Sequence, residues 1–137
     1  MRALVVDDEL VGRILMRKLL ADHAECDMVV NGREALEAFR LAWSENTPYD
    51  LVCLDIMMPE MDGHETLKAI RAYEEERGIF GDKRAKVIMI TAKEDSKSVL
   101  SSFKEGCEGY LVKPVTKKGV LAQLRELGLV ERPAIEL

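Results

Sequence analysis

Apolar residues along this chain fall into short unbroken runs, separated by stretches in which they recur every three or four positions. The runs are Ala3-Leu-Val-Val6, Cys26-Asp-Met-Val-Val30, Leu51-Val-Cys-Leu54, Val87-Ile-Met-Ile90 and Gly109-Tyr-Leu-Val112. Runs with little or no alternation predict strands covered on both faces, as in a parallel sheet. Between them, Val11, Ile14, Leu15 and Leu19 lie on one helical stripe, as do Ala35, Phe39, Ala42 and Trp43 with Leu36 beside them. Glu65 to Glu76 carries Leu67 and Ile70, Ser98 to Glu105 carries Val99, Leu100 and Phe103, and Val120, Leu121, Leu124 and Leu127 mark a last helix. Asn31-Gly32, Pro48, Gly63, Gly106 and Gly128 punctuate the pattern. Strands and helices in strict alternation predict an α/β fold: a doubly wound, five-stranded parallel sheet of order 2-1-3-4-5, with right-handed crossovers and helices on both faces.

In that order, the residues just past strands one, three, four and five share one sheet edge, where open α/β sheets collect ligands. They are Asp7 and Asp8, Asp55, Thr91 and Lys113. The third strand is the telling one, because its apolar run ends in a single carboxylate before the chain breaks at Pro59 and Gly63. An ionised carboxylate there requires a cation or hydrogen-bond donors. Strands one and three are neighbours, so three carboxylates share one crevice; either one keeps its proton or a cation is bound. Oxygen-only ligands with a partly open shell suit Mg2+. With the Lys113 ammonium and the Thr91 hydroxyl, the set amounts to a phosphoryl-transfer site. Each residue alone has a plainer explanation: an acidic helix start for Asp7-Asp8-Glu9, a turn for Asp55, packing or a cap for Thr91, a solvated side chain for Lys113. Their joint occurrence on one edge is what favours the chemistry.

Length and charge narrow the classes. The 137 residues suit one domain, expected over 1–128 with a short tail at 129–137. A net charge of -5 argues against a nucleic-acid or anionic-membrane surface. Cys26, Cys53 and Cys107 are odd in number and form no CxxC, which disfavours structural zinc, and Cys53 reads as a small buried thiol. No signal-like start or long apolar stretch occurs, so the expected location is the cytoplasm.

The Asp7-Asp8 pair, Asp55-Ile-Met-Met-Pro-Glu-Met-Asp-Gly63, Thr91-Ala92 and Lys113-Pro114 together resemble the receiver domains of two-component response regulators, of the chemotaxis-regulator type. The resemblance covers residues 1 to about 128 and implies a flavodoxin-like fold. It implies that Asp55 accepts a phosphoryl group from a sensor histidine kinase or histidine phosphotransfer protein. It further implies that Asp8, Asp55 and the Met57 backbone carbonyl bind Mg2+, with Asp7 acting largely through water. Thr91 and Lys113 would meet phosphoryl oxygens, the Lys113-Pro114 bond would be cis, and Tyr110 would turn inward as the switch aromatic. Such a domain catalyses only its own phosphorylation and dephosphorylation, as a monomer or weak dimer. Lys97, Ser101 and Lys117 are candidate exposed contacts on the readout surface. About nine residues follow the last helix, so the signal is expected to pass to a separate protein, the alternatives being a phosphorelay intermediate or a piece of a longer chain. Met57 and Lys93 occupy positions where the family tunes phosphoryl lifetime. The charged segment from Arg77 to Lys86 is longer than the family's usual link, either a tolerated insertion or a docking loop. The alternative is a Mg2+-dependent phosphatase of the haloacid-dehalogenase type, whose nucleophile would lie on the first strand near Asp7.

Overall fold

The computed structural model describes residues 1–92 and 96–131, the side chains of 96–99 excepted. Strands β1 (Arg2–Val6), β2 (Glu25–Val29), β3 (Leu51–Asp55), β4 (Lys86–Thr91) and β5 (Gly109–Val112) form one sheet in the order β2-β1-β3-β4-β5. Every pairing is parallel. Helices α1 (Leu10–Leu20), α2 (Gly32–Ser44), α3 (Gly63–Glu76), α4 (Ser96–Glu105) and α5 (Lys117–Glu126) connect the strands or follow the last. The architecture is the expected one.

The pleat sorts the strand residues into two cores. Leu4, Val6, Val52, Leu54, Val87 and Met89 face Ala35 and Phe39 of α2 and Leu67 and Ile70 of α3. Ala3, Val5, Leu51, Cys53, Ile88, Ile90 and Leu111 face Met16 and Leu20 of α1 and Val120 and Leu124 of α5. Because both faces are covered, the central strands show no polar alternation in sequence. Edge strand β2 does alternate: Glu25 and Asp27 are exposed between half-buried Cys26 and Met28, which discourages further strand pairing.

The same parity continues past the strand ends. Asp7 follows Ala3 and Val5, Asp55 follows Leu51 and Cys53, and Lys113 follows Leu111, so all three are in step with the α1/α5 face. Thr91 is in step with Val87 and Met89 on the other face. Asn31, Asp62 and Thr116 cap α2, α3 and α5 by accepting from the backbone N–H of Glu34, Glu65 and Gly119. Gly63 is where the β3–α3 loop folds back onto the strand: a Cβ there would stand 2.5 Å from the Asp55 carbonyl oxygen.

Two helix faces differ from the expectation, and the segment before β4 shows its packing. The buried face of α1 is Met16 and Leu20, whereas Val11 is 76% and Leu15 37% exposed. Both faces of α1 are apolar, so periodicity alone selects the wrong one. On α4, Leu100 and Phe103 are exposed and the innermost described side chain is Ser102. The segment from Arg77 to Lys86 is built into the fold around a 3-10 turn at Gly81–Lys83, with Ile79 buried. Arg71 organises it. Its guanidinium donates to Glu74 at 2.6 Å, to the Ala85 and Gly106 carbonyls at 2.9 Å, and to both Glu108 oxygens at 2.7 and 2.8 Å. Glu74, buried, also accepts the Ala85 N–H at 2.9 Å.

Candidate functional site

Asp55 is the last residue of β3 and only 3% exposed. Its Oδ1 accepts the Met57 N–H at 3.1 Å and its Oδ2 receives Lys113 Nζ at 3.0 Å. Lys113 is carried to this point by the β4–β5 pair, where its N–H donates to the Thr91 carbonyl at 2.8 Å. The Lys113-Pro114 bond is cis. At the end of β1, buried Asp7 accepts the Glu9 N–H on Oδ1 at 2.9 Å, and Arg13 Nη1 donates to its carbonyl oxygen at 2.9 Å. Asp8 is exposed. One oxygen from each of Asp7, Asp8 and Asp55 lies within 4.8 Å of the others.

The electrostatics of this group are unbalanced. Burial pushes the Asp55 carboxyl above its usual range; the Lys113 hydrogen bond and charge pull it down, and Asp7 pushes it up again. Burial would lower the Lys113 ammonium, but Asp55, Asp7 and Glu9 outweigh this and hold it above its usual value. The two directions are compatible: the ammonium faces several carboxylates, while the carboxylate faces burial and a like charge. Three carboxylates against one ammonium leave an excess of negative charge in a half-open crevice. An all-oxygen donor set of this kind fits a hard divalent cation such as Mg2+.

Thr91 ends β4 and is 7% exposed, one position past Ile90, the register partner of Asp55. Tyr110 is half-buried on β5, edge to face with Phe103 at 6.2 Å between centroids, and packs against the core that holds Met89. Met57 is 74% exposed beside Pro59 at the mouth. Among the downstream candidates, the Ser101 hydroxyl donates to Glu105 at 2.9 Å and Lys117 Nζ stands 3.9 Å from Asp22. Lys93 and the Lys97 side chain lie outside the described residues.

Two features escape the sequence reading. Arg13 fixes the Asp7 carbonyl, and a recess of about 180 Å³ runs from Asp7 and Lys113 between α1 and the β5–α5 loop, past Val11, Leu15 and Pro114. The signal for the recess was present in α1, which has more apolar residues than one buried stripe needs.

Known proteins share this fold. The sequence pattern of the response regulator receiver domain matches residues 3–125. A chemotaxis protein CheY of Listeria monocytogenes is 34% identical over 126 residues, covering 92% of this chain and 97% of that protein. The transcriptional regulatory protein PcoR of Escherichia coli is 31% identical over 127 residues, 92% of this chain but 50% of that protein. The chain thus spans half the length of that regulator and nearly all of the chemotaxis protein. Among solved structures, a CheX–CheY–BeF3–Mg2+ complex from Borrelia burgdorferi superposes with a TM-score of 0.80 at 27% identity, over 93% of this chain and 89% of that one. The complex of Ypd1, a histidine phosphotransfer signalling protein of Saccharomyces cerevisiae, with the receiver domain of Ssk1 gives 0.79 at 25% identity, over 93% and 88%. None of these relatives is a phosphatase of the haloacid-dehalogenase type. No helix among the described residues is long and apolar enough to cross a membrane.

Proposed function

Because the chain belongs to the response regulator receiver domains, we propose that Asp55 takes a phosphoryl group from a phosphohistidine on a sensor histidine kinase or histidine phosphotransfer protein. The domain then passes that state as a signal to a separate protein target. The observation that carries this reading is the buried Asp55 carboxylate, 3.0 Å from the Lys113 ammonium and grouped with Asp7 and Asp8. Two solved relatives lend support, one a CheX–CheY complex with BeF3 and Mg2+ and the other a receiver domain bound to a phosphotransfer protein.

An Asp55 oxygen attacks phosphorus, the P–N bond to the donor imidazole breaks, and the ring nitrogen keeps the electron pair. The Met57 N–H and Lys113 hold the carboxylate in one orientation, so little freedom is lost when the donor docks. When bound, Mg2+ offsets the charge of the carboxylates and the transferring oxygens. Asp8, Asp55 and the Met57 carbonyl would hold it, with Asp7 acting through water. Lys113 would turn to one phosphoryl oxygen and the Thr91 hydroxyl to another.

The switch follows from charge. The phosphoryl group brings close to two negative charges to Asp55. A shift from mostly inactive to mostly active requires about 5.5 kcal/mol of differential interaction. Three or four charge-assisted contacts to the phosphoryl group, from Thr91, Lys113 and the metal, would supply that order of energy. As Thr91 moves toward the phosphate it vacates space that Tyr110 enters, altering the surface of α4, β5 and α5. The domain acts in the cytoplasm as a monomer or weak dimer, without direct contact to nucleic acid.

The test is incubation with acetyl phosphate and Mg2+. The expected result is one base-labile phosphate per chain, absent in Asp55→Asn and absent without metal. Turnover of phosphomonoesters by Asp55→Asn, with no label on the wild type, would overturn the reading.

A further inference from the structure

Asp7 sits in a confined position, and the confinement comes from α1. Its Oδ1 is held by the Glu9 N–H and its main-chain carbonyl by Arg13, both at 2.9 Å. Its Oδ2 lies where a side chain at residue 12 would be. A Cβ built on Gly12 would stand 2.0 Å from Asp7 Oδ2 and 2.9 Å from Cγ. The atoms in the way are the end of a side chain, unlike those facing Gly63, where the Asp55 backbone blocks the space. An added methyl group therefore displaces the carboxylate and leaves the backbone in place.

Gly12 is also costly where it stands. It lies in the first turn of α1, with a φ outside the left-handed region, so the backbone does not require glycine. Glycine is the weakest helix former after proline. What the position gains is room for Asp7.

We infer, building on the Mg2+ site proposed above, that Gly12 is a positioning residue of that site. Its missing side chain lets the Asp7 carboxylate lie within 4.8 Å of the oxygens of Asp8 and Asp55. With Oδ1 already committed to Glu9 and Asp7 only 3% exposed, the carboxylate has no slack to absorb a methyl group. It must either give up the Glu9 bond or move against the other carboxylates, and both routes spoil the donor set. Groups that orient metal ligands from behind typically change metal affinity by about tenfold or more when altered.

The experiment is calorimetric titration of Mg2+ into the wild type, Gly12→Ala, Asp7→Ala and the double variant, with a metal-free melting curve for each. Gly12→Ala is expected to weaken Mg2+ binding about tenfold, and any fall in its metal-free melting temperature is expected only while Asp7 is present. In the Asp7→Ala background the same substitution is expected to leave Mg2+ affinity unchanged, because no carboxylate remains to be displaced. Equal Mg2+ affinity in Gly12→Ala and wild type overturns the inference. So does a tenfold loss, or a fall in the metal-free melting temperature, that persists without Asp7, which would mark Gly12 as a packing residue. If the wild type itself takes up no Mg2+, the metal site is wrong and this role falls with it.

Discussion

Replacing Lys113 by Met keeps most of the aliphatic stem and removes the ammonium that meets Asp55 Oδ2 at 3.0 Å. The Asp55 side chain is 4% exposed and that of Lys113 31%, so the carboxylate loses its cation with little access to water. A hydrogen bond to a charged group contributes about 1.5–3 kcal/mol. The partial exposure of Lys113 puts this pair toward the lower end, about 1–2 kcal/mol. A chain of 137 residues unfolds with an entropy near 0.3 kcal/mol per degree, so the expected fall in metal-free melting temperature is roughly 3–7 °C. The sign with pH is fixed. Burial and Asp7 already hold the Asp55 carboxyl above its usual range, and losing Lys113 raises it further. The raised group stabilises the fold only when protonated, so the Lys113→Met penalty is largest at neutral pH and shrinks as pH falls through the folded-state pKa. Urea and thermal unfolding at several pH values measure this. The decisive arm is Lys113→Met in Asp55→Asn, where the neutral amide needs no cation and the penalty should vanish. A penalty of the same size in both backgrounds would mean that Lys113 stabilises by packing, and the electrostatic reasoning would be refuted.

Other expectations follow from different parts of the molecule. Arg71→Met leaves Glu74, 1% exposed, and Glu108 with only the more distant Arg84, 3.8 Å from each, and is expected to cost about 3 kcal/mol in urea unfolding; a loss below about 1 kcal/mol would show that the Arg71 contacts are not holding the segment before β4. At pH 8 a thiol reagent should label Cys26 in the native protein. Cys107, pushed up by burial to about 11, and the fully buried Cys53, pushed up by burial to about 12, should react only on unfolding. Burial, followed by the hydrogen bond to Asp27 at 2.6 Å, pushes the Tyr49 hydroxyl up to about 12. Its contribution to stability is present below the ordinary tyrosine pKa and lost as pH rises through about 12. The tyrosinate absorbance step near that pH should be missing in Tyr49→Phe.

The sheet order and the grouping of Asp7, Asp55 and Lys113 were legible because both rest on local runs and on period-two parity. A strand buried on both faces leaves an unbroken apolar run in sequence, and its last in-step residue must emerge on a known side of the sheet. The helix faces were less legible. In α1, Val11 and Leu15 compete with Met16 and Leu20, and only the docking of the helix on β1 decides which pair is buried. In α4, Leu100 and Phe103 carry the periodicity yet face outward, because the inner position goes to Ser102. The packing of the segment after α3 was not legible, because it depends on Arg71 of α3 and on Glu108, far away in the chain. Gly12 carried no signal at all, since a helical glycine becomes meaningful only when the carboxylate beside it is seen.

The most direct measurement locates the phosphorylated residue itself. After reaction with acetyl phosphate and Mg2+, borohydride reduces the acyl phosphate to an alcohol, so the modified aspartate becomes homoserine and can be read by peptide sequencing. The account predicts homoserine at position 55 and nowhere else. Homoserine at position 7 or 8 would place the nucleophile on β1 and contradict it.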